Sequence, residues 1–75
     1  MIKIKQFQLG GEDYTTYLNP EEITEVRSID KHQHFPEVKS IVFFDRLNKN
    51  WLYATESAEV IQKRLAEAGH ATTTN

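Results

Sequence analysis

The residues most suggestive of chemistry are the pair His32-x-His34, in a chain with three histidines and no cysteine. If the segment is extended, both imidazoles project to one side and Asp30 shares their parity, so three donors line up. Zinc requires three or four such donors at ~2 Å. The only other histidine is His70, and H-x-H alone matches no metal-site spacing with a mechanism behind it. A polar loop running into Phe35-Pro36 accounts for the pair equally well. His32 and His34 are thus the only metal candidates, and no metal or other cofactor is expected.

Two adjacent acidic pairs, Glu12-Asp13 and Glu21-Glu22, invite an acid/base reading. Paired carboxylates that share such work must flank a cleft and sit in different surroundings. Both pairs instead adjoin turn and helix-start signals, where capping and the helix dipole explain them. The chain contains no G-x-S-x-G, P-loop, G-x-G-x-x-G or H-E-x-x-H pattern. The absence of a thiol removes cysteine nucleophiles, Cys-based zinc sites and disulfides together. A non-enzymatic protein is expected.

Lys3, Lys5, Arg46 and Lys49 would form a basic stripe if the fold brought them near Trp51. Single-stranded nucleic acid binding needs that combination of stacking ring and phosphate-facing cations. Nine basic against eleven acidic residues leave a formal charge of −2, which supplies no general attraction to a polyanion. Strand lysines also guard against edge-to-edge aggregation. Nucleic-acid binding is therefore the alternative reading, not the leading one.

The elements that must position these groups follow from spacing. Ile2-Lys3-Ile4-Lys5 alternates as a half-buried strand, but Phe7 and Leu9 fall on the opposite parity. A bulge near Lys5-Gln6, or apolar surroundings on both sides, would explain the slip. Gly10-Gly11 predicts a hairpin into 14–18. Asn19-Pro20-Glu21-Glu22 reads as a helix start, yet the β-branched residues after it favour a single turn leading into a strand. After a polar loop over 30–37, residues 38–45 make the strongest strand signal. Leu47-Asn48-Lys49-Asn50 supplies a turn in which Asn takes the left-handed conformation, and 51–55 returns as the hairpin partner. Ser57 caps a helix of about twelve residues, ~18 Å long, with Ala58, Ile61, Leu65 and Ala68 on one stripe and Gly69 as its stop. Gln62, Lys63, Arg64 and Glu67 form its solvated side.

These elements predict one α+β domain over 1–69: a curved antiparallel β-meander of about five strands with one C-terminal α-helix. Residues 70–75, beginning at His70, are expected to form a disordered tail. The 75 residues suffice for one domain, and the 39% hydrophobic, 27% charged composition is that of a globular chain. The longest apolar run is Ile41-Val42-Phe43-Phe44, too short for a bilayer span or a signal peptide. The expected setting is the cytoplasm, with no membrane partner.

The central hairpin carries the main functional inference. Ile41 and Phe43 oppose Val42 and Phe44, while Trp51 and Tyr53 oppose Leu52 and Ala54. Both faces of this ribbon are apolar, and only one amphipathic helix is available to cover one of them. The second face must be closed by curling into a small barrel, by a second copy of the chain, or by another protein. Small domains without disulfide or metal staples commonly rely on oligomerisation. The expectation is a non-enzymatic interaction or regulatory module that acts as a homodimer or larger assembly. Its interface is expected on Phe43, Trp51 and Tyr53, or on Val42 and Phe44.

The pattern Tyr17-Leu18-Asn19-Pro20-Glu21-Glu22-Ile23-x-x-Val26, followed by Thr55-Glu56-Ser57-Ala58-Glu59-Val60-Ile61, resembles the small flagellar-operon proteins of the FlbD type. The likeness covers about half the chain. It implies a short β-rich fold ending in a helix and a non-catalytic accessory role, and it transfers no site residues. The chain departs from the pattern in a longer 30–39 loop and in having Leu47-Asn48-Lys49-Asn50 where an Asn-Gly turn is expected.

Overall fold

Alternation of apolar and polar side chains builds the first hairpin. In a computed structural model, which describes residues 1–69 and the backbone of Thr73–Thr74, β1 (Ile2–Gln6) buries Ile2 and Ile4 and exposes Lys3 and Lys5. It pairs with β2 (Tyr14–Leu18) without a register shift, from Ile2↔Leu18 to Gln6↔Tyr14. No bulge is needed: Phe7 lies just past β1 and turns to the other face, where it meets Phe35 at a ring separation of 5.1 Å. For Phe7 the second explanation of the parity slip, apolar surroundings on both sides, is the one the fold uses; Leu9 lies in the loop and is 71% exposed. The turn between β1 and β2 places Gly10 at φ +72°, a conformation that favours glycine.

Asn19 then caps a single 3₁₀ turn, Pro20–Glu22, its side-chain oxygen accepting from the Glu21 N–H at 3.1 Å. The chain continues directly into β3 (Ile23–Ser28), because Ile23 and Val26 serve an interior better as strand residues. β4 (Ser40–Phe44) is shorter than the 38–45 expected, and β5 (Asn50–Ala54) starts and ends one residue before the expected 51–55. The helix α1 (Ala58–Glu67) is capped by Ser57, whose Oγ accepts from the Val60 N–H, and it stops at Gly69 with φ +83°. Ala58, Ile61 and Leu65 are buried; Ala68, expected on the same stripe, is the exposed C-cap.

The sheet order is β2-β1-β5-β4-β3, all antiparallel, with Thr73–Thr74 (β6) running parallel beside β3. Two residues of the expected tail thus lie along the β3 edge; the rest of it, 70–72 and 75, is outside the described residues. β2 and β3 are sequence neighbours yet stand at the two edges of the five-stranded set, joined only by residues 19–22. A flat sheet would separate those edges by four spacings, ~19 Å. The linker reaches ~17 Å fully extended and less through a 3₁₀ turn. The sheet must therefore curl, and the curl makes one face an interior. Ile4, Val26, Val42, Ala54 and Ile61 all have 0% exposure there. α1 closes this interior by packing on β1 and β3.

The connection into the helix is held by polar contacts. Ser40, completely buried, donates from Oγ to the Glu56 carbonyl at 2.8 Å. Glu56 accepts from the Lys5 N–H at 2.8 Å and from both terminal nitrogens of Arg64, which also donates to the Lys3 carbonyl. Among the described residues no helix is long and apolar enough to cross a membrane.

Candidate functional site

The outer face of the sheet is built by the alternate residues of each strand. Phe43 lies opposite Trp51 and Ile41 opposite Tyr53, while β3 sets Glu25 beside Phe43 and Arg27 beside Ile41. Val42 and Leu52 take the inner parity. Val42 is 0% exposed and so is closed to a second chain, while Phe44 is half-buried, packing against the core. Of the five proposed interface residues, the fold leaves Phe43, Trp51 and Tyr53 outside.

One end of this face is covered by the chain itself. The loop between β3 and β4 is tied at its base by Ile29 N–H to the Lys39 carbonyl and by Lys39 N–H to the Ala54 carbonyl, both at 2.9 Å. His32 Nδ1 accepts from the backbone N–H groups of His34 at 3.2 Å and Phe35 at 3.1 Å. This side chain-to-backbone turn folds the loop back. It sets the His32 ring edge-on to Tyr53 at 5.3 Å and Phe35 beside both His32 and Phe7. The loop is therefore not extended, and the shared parity of Asp30, His32 and His34 does not gather three ligands. The two imidazole centroids stand 6.4 Å apart, and His32 Nδ1 is already engaged. Among the described residues no group of three or more His, Asp or Glu side chains is placed to hold a metal.

Phe35, inside a polar loop, and off-parity Phe7 cover each other, a contact that only the fold reveals. Phe35→Ala is expected to cost about 1–2 kcal/mol and to free the loop. Hydrogen exchange is the check: the Val38 and Lys39 amides should accelerate while the β1–β2 ladder stays unchanged.

The other end of the face remains open. Trp51 is 58% exposed, and Phe43 beside it lies beneath the Arg27 guanidinium, 5.2 Å from the ring centroid. Arg27 is held over the ring by Glu25, with N···O distances of 3.0 and 3.1 Å. Phe43 also borders an open groove of about 520 Å³ with Thr24, Phe44, Arg46 and Lys49 on its walls.

The turn beyond β4 differs from the expected one. Asp45 (φ 58°) and Lys49 (φ 55°), not an asparagine, occupy the left-handed region. Asn48 and Asn50 are used instead as donors to the Asp45 carboxylate. Hydrogen bonds from the Asn48 amide and backbone N–H, with Asn50 adding to them, hold that carboxyl below its ordinary value, and desolvation opposes them.

The basic candidates divide into two groups. Arg46 and Lys49 sit on the turn next to Trp51. Lys3 and Lys5 lie at the far end of β5, where the Lys5 carbonyl accepts from Thr55 N–H. That is four residues beyond Trp51, ~13 Å along the strand. One continuous stripe of cations and rings is not formed. The acidic pairs take the structural positions expected of them: Glu21 and Glu22 in the 3₁₀ turn, Glu12 and Asp13 in the exposed loop before β2. No family model matches this chain, and neither a curated protein nor a solved structure does.

Proposed function

We propose that the chain is a non-enzymatic interaction module of the cytoplasm that works as a homo-oligomer, docking through the open end of the outer sheet face. The observation that carries this reading is Trp51: 58% exposed, fixed on a regular strand, and paired with Phe43 while the neighbouring aromatic end is already covered. A rigid tryptophan with an adjacent arginine is the composition of an interface anchor. The resemblance to flagellar-operon accessory proteins supports a role without catalysis.

Trp51 is the sole tryptophan, so its emission reports directly on burial of the proposed anchor. Sedimentation is expected to show a dimer or larger species at micromolar concentration, with Trp51 emission shifting to the blue as it forms. Trp51→Ala should weaken assembly by about 30-fold or more, the effect of losing an anchor worth ~2 kcal/mol, and leave the circular dichroism unchanged. A monomer at all concentrations with water-exposed emission throughout would defeat the proposal.

A further inference from the structure

The two edges of the sheet are treated differently. On the β3 edge, the short β6 runs alongside, and Glu25 and Arg27 place charges on the strand. The β2 edge is Tyr14-Thr15-Thr16-Tyr17-Leu18, with no charge and no proline, and the strand order ends there. Charges, prolines and covering segments are the usual protections of an edge; β2 carries neither of the first two, and no strand among the described residues pairs with its outer side.

Hydrogen-bond parity shows which groups this edge offers. The Phe7 N–H donates to the Tyr53 carbonyl, and the Lys5 carbonyl accepts from Thr55 N–H, so odd-numbered residues of β1 face β5. Lys5 N–H and the Lys3 carbonyl, which bind Glu56 and Arg64, point the same way. The even residues Ile2, Ile4 and Gln6 therefore face β2 and pair with Leu18, Thr16 and Tyr14. Thr15 and Tyr17 must direct their N–H and C=O groups away from the sheet.

We infer that β2 pairs antiparallel with β2 of a second copy about a two-fold axis through Thr16, using the outward backbone groups of Thr15 and Tyr17. This contact is separate from the Trp51 face and does not depend on it. The second copy is the occupant because the strand is complementary to itself in this register. Thr15 meets the partner copy's Tyr17 as a hydrogen-bonded pair and Tyr17 meets its Thr15, giving four N–H···O bonds. On the same axis Thr16 faces its own counterpart, and Tyr14 faces Leu18. Every pair is aromatic, aliphatic or β-branched, the combinations that stabilise cross-strand contacts, and no like charges oppose. Tyr14 and Tyr17, 46% and 60% exposed in the single chain, gain cover. The result is one continuous sheet with both Trp51 faces on the same side.

Amide hydrogen exchange on the unmodified chain tests the parity directly. Thr15 and Tyr17 amides should be fast when dilute and slow by about tenfold or more when concentrated, while Tyr14 and Thr16 amides stay protected throughout. Cross-linking gives a second measurement, since the chain has no native thiol. In a non-hydrogen-bonded antiparallel pair the Cα atoms lie ~4.5 Å apart, within disulfide range. Thr16→Cys should therefore oxidise to a covalent dimer, and Thr15→Cys, offset from its own counterpart, should not. Concentration-independent exchange at Thr15 and Tyr17, or equal cross-linking at the two positions, overturns the inference. Running Thr16→Cys in the Trp51→Ala background separates the two contacts: a covalent dimer that still forms there, while Trp51 emission of the unmodified chain does not respond to concentration, leaves the edge pairing standing alone.

Discussion

Ile61→Ala is expected to lower the melting temperature by about 10–30 °C, the largest effect of any single truncation proposed for this chain. Ile61 sits at the centre of α1 with 0% exposure, and the helix buries only Ala58 and Leu65 besides it. Those three side chains close an interior that the curled sheet leaves open between β1 and β3. Shortening a fully buried isoleucine to alanine costs about 2–5 kcal/mol through lost burial and the cavity left behind. A chain of 75 residues has about 4–11 kcal/mol in total. Each kcal/mol moves the midpoint by about 4–8 °C in a domain this small. Thermal circular dichroism is the check, with Val60→Ala as the control. Val60 is on the same helix but 41% exposed, so its truncation should change little. A drop of only a few degrees for Ile61→Ala would show that the helix is not the plug.

The second large effect concerns acid. Hydrogen bonding from Arg64 holds the Glu56 carboxyl below its ordinary value of 4.5, the Lys5 N–H adds to this, and burial opposes it. The same contact pushes the Arg64 guanidinium upward. A carboxyl whose folded value lies below its unfolded one stabilises fully above the unfolded value. That stabilisation is lost as pH falls through the folded one. The contribution should therefore be intact at neutral pH and disappear on acidification from about pH 4.5 downward, where the unfolded chain takes up the proton first. Glu56→Gln should cost about 1–2 kcal/mol at pH 7. That is less than the loss from a sealed pair, because the Arg64 side chain is 31% exposed. The cost should shrink as pH falls below about 4.5 and through the lowered folded-state value, giving the variant a flatter acid limb in a pH series of denaturant melts. Equal slopes for the two proteins would show that Glu56 is not what couples stability to acid. The physical consequence of losing the clamp is local. Glu56 and Arg64 join β1, the start of α1 and, through the Glu56 carbonyl, Ser40 of β4.

Local spacing in the sequence determined which side of each strand faces inward. Ile2 and Ile4 and the opposed sets on the 41–54 hairpin were legible because side-chain period is a property of the strand itself, whereas Ile23 and Val26, three residues apart, both reach the interior only because the β3–β4 register shifts between Ile23 and Glu25. The caps were legible for the same reason: Asn19, Ser57 and Gly69 act on backbone groups within a few residues of themselves. Tertiary structure alone decided what covers the outer face. Three covers were expected for the second apolar face; the curl encloses the face that α1 already closes, and one end of the second face is covered by a device not among the three, the chain's own His32–Phe35 turn laid against Phe7 and Tyr53. That contact joins segments more than twenty residues apart, and no local pattern specifies such closure. The same applies to the cations: Lys3 and Lys5 were separated from Trp51 by the pairing of β1 with β5, a choice set by where Ile2 and Ile4 could be buried. It applies again to the strand edges, because whether β2 or β3 stands unpaired depends on the order of strands, which is settled only when the whole interior closes.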